Sequence, residues 1–247
     1  MAHAHFSPEH EKRLVREFFG GTKGFFVDVG ANDPREGSQS WHLEESGWTG
    51  ILVEPQPQLA AKLREMRRAP VFAVACSSPE NSGRSLPFHV AGPMSSLDRN
   101  KMAPGAAPEA VIQVPVRTLD ELLTEAKAPT PVDLLSVDVE GHEIEVLSGF
   151  DFARWQPRLI ILEDHVGNLD KHRFLQAAGY RVVRYLGFNG WYVPAGVKVD
   201  FGWRDRWEVF RKYYLALPFR VFRNVSRRIR QPFKDARAAR DRSRSAG

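Results

Sequence analysis

The stretch LLSVDVEGHE, residues 134–143, decides how the rest of the chain is read. Leu134 to Val137 form a run without polar alternation, as expected of a strand buried on both faces. The run stops on Asp138, and Glu140, His142 and Glu143 follow at once. One reading is a solvated helix start, where acids interact favourably with the helix dipole. The other is an active site at the edge of a sheet.

The flanking sequence repeats the pattern. GFFVDVG (24–30), GILVEP (50–55) and RLIILEDH (158–165) are short apolar runs that end at Asp28, Glu54 and Glu163. PVFAVAC (70–76) is a further strand, closing on the lone cysteine, Cys76. Helical patterns lie between them at 8–19, 38–47, 58–68, 118–126, 143–150 and 170–179. Thr118 with Glu121 has the spacing of a capping box, and Gly179 stands where a helix C-cap is expected. YRVVRYLG (180–187) and GWYVPAG (190–196) predict two closing strands joined by a turn at Asn189–Gly190. Residues 77–113 read as an irregular segment with one strand at SLPFHV (85–90). Apolar strands alternating with helices predict an α/β fold: a mostly parallel sheet, helices on both faces and a C-terminal antiparallel hairpin.

In open parallel sheets, ligands sit beyond the carboxyl ends of the strands. Four strand-end acids (Asp28, Glu54, Asp138 and Glu163) therefore predict a polar site along one sheet edge. The turn DVGAND (28–33) has Asn32 and Arg35 where a dinucleotide fingerprint needs glycine, and it lacks the Gly-Lys-Ser/Thr ending of a phosphate loop. A carboxylate at the end of the second strand suits ribose hydroxyls, because it accepts two hydrogen bonds. An adenosine ligand bearing an amine and no phosphate meets these terms, and S-adenosylmethionine is such a ligand.

FVDVGAND, LVEPQP, SSL (95–97), VRTLDELL, LLSVDVEGHEIEVLSGF and LIILEDH occur in that order. Together they resemble the FkbM-type methyltransferases over residues 25–192. The resemblance implies a seven-stranded, Rossmann-like class I methyltransferase fold and methyl transfer from S-adenosylmethionine to a hydroxyl oxygen of a sugar, glycolipid or other small acceptor. It implies cofactor contacts from Asp28, Gly30, Asn32, Glu54 and Asp138, with Glu140 and Glu163 toward the acceptor. An alcohol loses its proton as it attacks, and a neutral histidine suits that task. The candidates are His165, slightly favoured because it lies just past a strand end, and His142, with Asp138 beside them. The alternative is a divalent ion held by Asp138 with Glu163 or Asp164. The remaining histidines (His3, His5, His10, His42, His89 and His172) lack ligand spacing.

Charge divides the chain. Residues 204–247 hold 14 Lys+Arg and 4 Asp+Glu, a balance of +10, whereas the whole chain is only +5, leaving −5 for the remainder. Apolar residues at Trp207, Phe210, Tyr214, Leu217, Val221, Val225 and Ile229 keep a helical period between the arginines. Pro218 is expected to kink this helix and Pro232 to end it. Three parts follow: an N-terminal helix (1–22), a methyltransferase body (23–200), and a basic amphipathic helix with a disordered tail (201–247). A basic helix with aromatic residues suits an anionic membrane surface, through residues 203–230, or packing against the body. The single cysteine and the lack of an apolar leader fit a cytoplasmic protein, peripheral on the inner face of a membrane. A nucleic-acid methyltransferase that uses the basic tail is a further reading. It lacks an Asn/Asp-Pro-Pro-Tyr/Phe segment, and the body is acidic. A non-catalytic membrane adaptor with the same fold is another.

Overall fold

The computed structural model describes residues 7–99, 108–199, 201–219 and 222. The chain opens with α1 (Pro8–Phe18), started by Ser7, whose hydroxyl accepts from His10 N, and by Pro8 in the first turn. It continues through β1 (Phe25–Val29), α2 (Trp41–Glu45), β2 (Thr49–Val53), α3 (Pro57–Met66), β3 (Val71–Phe72), β4 (Ala75–Cys76), β5 (Ser85–Val90) and β6 (Ala110–Arg117). Then come α4 (Leu119–Glu125), β7 (Leu134–Val137), α5 (Glu143–Ser148), α6 (Phe152–Trp155), β8 (Leu159–Glu163) and α7 (Asp170–Ala177). The hairpin β9 (Tyr180–Leu186) and β10 (Asn189–Pro194) precedes α8 (Trp203–Phe210) and a π-helical turn over Arg211–Leu215. The expected capping box closes α4: Thr118 accepts from Glu121 N while Glu121 accepts from Thr118 N.

Seven strands form one sheet in the order β3-β2-β1-β7-β8-β10-β9. Strands β3, β2, β1, β7 and β8 run parallel, and β10 is antiparallel to both of its neighbours. This is the expected Rossmann-like sheet with its C-terminal hairpin. Side-chain alternation sorts the strands onto two cores. Val27, Val29, Ile51, Leu135, Val137, Ile160 and Leu162 pack with Leu119, Leu122, Val146 and Trp155 on one face. Phe26, Leu52, Leu134, Leu159, Ile161 and Trp191 pack with Val15, Phe19, Leu43 and Leu63 on the other. Strands β1, β7 and β8 are buried throughout, so both faces had to be apolar.

Local expectations need correction. The run PVFAVAC is two short strands: Val71 and Phe72 pair with β2, and after Val74 the chain leaves the main sheet. Ala75 and Cys76 pair instead with Val116 and Arg117 of β6. The segment read as irregular contains a second sheet, β4-β6-β5, in which SLPFHV pairs with Ala110–Pro115. The closing turn falls at Gly187–Phe188, because Leu186 already pairs with Asn189. Gly187 takes the positive φ of 57° that the first turn position requires.

The tail also differs from its sequence pattern. Tyr213 is fully buried and packs with Val166 and Tyr185, with Val209 and Leu217 alongside. Trp207, Phe210 and Tyr214 stay about half exposed. Val209, Tyr213 and Leu217, four residues apart, share the face toward the body, and Trp207, Phe210 and Tyr214 look outward. The chain bends at Ala216 and turns helical again at Leu217, which leaves Pro218 in a first turn. Val221, Val225, Ile229, Pro232 and the terminal segment lie outside the described residues.

Candidate active site

The chain order reverses between β1 and β7, so β1 and β7 diverge from a crevice at their carboxyl ends. Gly30 crosses there with φ 86°, and a Cβ on it would lie 1.9 Å from the Asp138 carbonyl oxygen. Only glycine lets the two strand ends approach so closely. The amides of Gly30 and Ala31 both donate to Val53 O, and Asp138 N donates to Val29 O, locking three strand ends together. Above this junction opens a cleft of about 270 Å³.

Glu54 ends β2 with both carboxylate oxygens oriented. One accepts from Asn32 N and the other from Gln56 N, each at 2.9 Å. Each oxygen keeps a lone pair for a further hydrogen bond. Burial raises the carboxyl above its usual range. Asp28 is buried too; it accepts from Ser40 Oγ at 2.5 Å, and that hydroxyl accepts from Arg67. Asn32 takes φ 48°, a conformation that asparagine tolerates better than most residues. Asp28, Gly30, Asn32 and Glu54 all line the cleft, as do Asp138, Glu140 and His142.

The DVEGHE turn builds the opposite wall. Glu140 and Gly141 both have positive φ, and Ser96 Oγ donates to Glu140 O, which fixes the bend. Glu143 folds back to accept from Gly141 N and pairs with Lys171 at 2.6 Å. Lys171 also donates to Glu163 O, tying this turn to the end of β8. His142 stands at the N-cap position of α5, and its Nε2 bonds Ser77 Oγ at 2.9 Å.

Glu163 and His165 are not among the residues lining this cleft; they adjoin Glu140, which is. Their nearest atoms, Oε1 and Nε2, are 3.2 Å apart. Ligand atoms of Glu140, Glu163 and His165 all fall within 4.8 Å of one another. The electrostatics follow from crowding. Burial, then the charges of Glu163 and Glu140, push Asp138 well above the usual carboxylate range. Burial and then Glu163 raise Glu140 to about 7. Burial opposes ionisation of Glu163 too, but its hydrogen bond to His165 brings it below the usual range. That same bond raises His165.

Asp164 does not join this group. It is buried on the other side of the strand, where it accepts from Val166 N and from Tyr213 Oη. Successive strand-end residues point to opposite faces, and Glu163 takes the site face. Of the ligands expected for a divalent ion, Asp164 thus points away from Glu163, while the three potential ligands that lie together among the described residues are Glu140, Glu163 and His165.

The methyltransferase FkbM domain profile matches residues 28–182. The chain belongs to this FkbM methyltransferase family. The matched interval contains every residue of the cleft wall and the acid–histidine cluster described above. The hexuronic acid methyltransferase AglP of Haloferax volcanii is 44% identical over 48 residues, covering 19% of this chain and 20% of that protein. The crystal structure of methyltransferase FkbM from Methylobacillus flagellatus KT matches with a TM-score of 0.47 and 14% identity, over 76% of this chain and 50% of that one. The chain thus spans half or less of either relative's length.

In this FkbM chain the cleft also takes Ser38, Gln39, Gln56, Phe88, Ser95 and Cys76. The SSL stretch was part of the motif series, and the structure puts Ser95 and Leu97 on the cleft wall. Phe88 arrives from β5 and carried no local signal. Cys76 is buried in apolar surroundings that push its thiol up to about 12, so it packs as a small hydrophobe.

Proposed function

We propose that this chain is an S-adenosylmethionine-dependent O-methyltransferase whose acceptor is a hydroxyl of a sugar, glycolipid or other small molecule. The observation that carries the proposal is Glu54, held by two backbone amides at the switch point with one lone pair left on each oxygen. That arrangement suits the two ribose hydroxyls of an adenosine ligand. Gly30 leaves backbone-close space beside it, and Asp28 and Asn32 border the same space. S-adenosylmethionine supplies a methyl group on a positively charged sulfur, which leaves as a neutral thioether.

The residues of this chain do the rest. Glu140, with Glu163 beside it, gives the far wall an acidic field, favourable to a cationic ligand. Glu140 and Glu163 face the acceptor, and their oxygens can accept from its other hydroxyls. His165 takes the acceptor's proton. Its Nε2 faces Glu163, which orients the ring and leaves Nδ1 with a lone pair, the logic of a base held by a carboxylate. His142 is fixed by Ser77 and serves as a wall residue. Residues 23–200 carry the transfer, while the segments before and after serve other ends. The weak likeness to a hexuronic acid methyltransferase favours a sugar acid or related sugar as acceptor.

The test is to incubate the protein with S-adenosylmethionine and a panel of free, lipid-linked and acidic sugars, followed by mass spectrometry. A methyl increment that survives mild alkali is expected, because ethers resist it. An alkali-labile methyl would mark a carboxylate acceptor and refute O-methylation of a hydroxyl. Transfer to a nucleic acid instead would overturn the acceptor class, and binding without any turnover would leave a non-catalytic adaptor.

A further inference from the structure

We propose that α8 and the basic segment after it seat this protein on an anionic lipid surface. Trp203 is 73% exposed, Trp207 51%, Phe210 46%, Tyr214 50% and Phe219 78%. The first four recur at helical spacing. Ring centroids of Trp207, Phe210 and Tyr214 stand 5.9 Å apart in sequence, so they form one continuous aromatic face. A face of this size in water is unusual and marks an interaction surface.

The other side of the helix is fixed. Arg184 pairs with Asp205 through two bonds, at 2.8 and 3.1 Å, and Phe201 is buried beneath them. Tyr213 is buried against Asp164 and Tyr192. The aromatic face is therefore presented by a docked element, and the body does not cover it.

Charge identifies the occupant. Residues 204–247 carry 14 Lys+Arg against 4 Asp+Glu. Aromatic rings beside arginines suit the headgroup zone, where rings enter the acyl boundary and cations meet anionic lipid. A second copy is disfavoured, because an isologous pairing would bring two such basic segments together. A nucleic acid matches the charge but does not desolvate Leu215 or Phe219, which also stand exposed. No helix among the described residues is long and apolar enough to cross a membrane, so this mode is surface seating.

The full chain is to be sedimented with phosphatidylcholine vesicles, with and without an equal share of phosphatidylglycerol. Binding roughly tenfold or more tighter to the anionic vesicles is expected, weakening with salt. The double variant Trp207→Ser, Phe210→Ser is expected to lose roughly tenfold in affinity. Its thermal unfolding and its binding of S-adenosylhomocysteine are to be measured alongside; because both side chains lie on the surface, both properties should match the parent. No preference for anionic vesicles would overturn the proposal, as would full binding by the double variant. So would a dimer in sedimentation velocity that the double variant abolishes, or displacement of bound protein from the vesicles by a nucleic-acid duplex.

Discussion

His165 and Glu163 make the most exposed chemical claim. A base works only in its neutral form, so the rate should rise with pH through the His165 pKa. Glu163 raises that pKa, chiefly by its hydrogen bond. Removing the charge in Glu163→Gln lowers it, so the acid limb of the rate profile moves to lower pH. A profile that keeps its acid limb in place would assign the base elsewhere, with His142 next in line. The strand-end acids were legible from sequence because each closes an apolar run. Which of Glu163 and Asp164 faces the site was not, since a one-residue difference at a strand end selects the opposite face. The upward shift of Asp138 was also out of reach: it depends on burial and on Glu163 and Glu140, which only the fold brings beside it.

At the scale of elements, the long and strongly patterned ones were readable: β1, β2, β7, β8 and the capped α4. What was missed has local reasons. Strand β6 carries Pro115, which argues against a central strand. The strand tolerates it because β4 covers only Val116 and Arg117. Strand β3 stops after Phe72 because the chain turns to the second sheet, a choice invisible in PVFAVAC. The tail helix was read as amphipathic, its stripe meeting either a membrane or the body; Trp207, Phe210 and Tyr214 look outward, whereas Leu217 packs with Val209 and Tyr213. Tyr213 is the side chain that this segment buries against the body. Its hydroxyl donates to Asp164 at 3.0 Å, one residue from Glu163 and from His165. Tyr213→Phe leaves a buried carboxylate short of a partner and should cost about 1–3 kcal/mol in urea unfolding. An unchanged midpoint would mean that α8 docks without this bond.

Across the whole molecule, one sheet sets the place of the site. The order β3-β2-β1-β7-β8 reverses at β1 and β7, and that reversal gathers Asp28, Glu54, Asp138 and Glu140 around one cleft. Sequence could predict that the acids share an edge, because parallel strands must end on the same side. It could not tell that Phe88 closes the cleft, since it comes from a second sheet built by pairings distant in sequence. The charge division, by contrast, was plain from counting. The central claim is that this cleft takes S-adenosylmethionine with Glu54 on the ribose. Calorimetry with S-adenosylhomocysteine tests it most directly, on the parent chain and on Glu54→Ala checked for folding by circular dichroism. The account predicts a single site in the parent and at least roughly tenfold weaker binding in the variant, the loss expected when charged hydrogen bonds are removed. No binding by the parent, or equal binding by a folded variant, would contradict it.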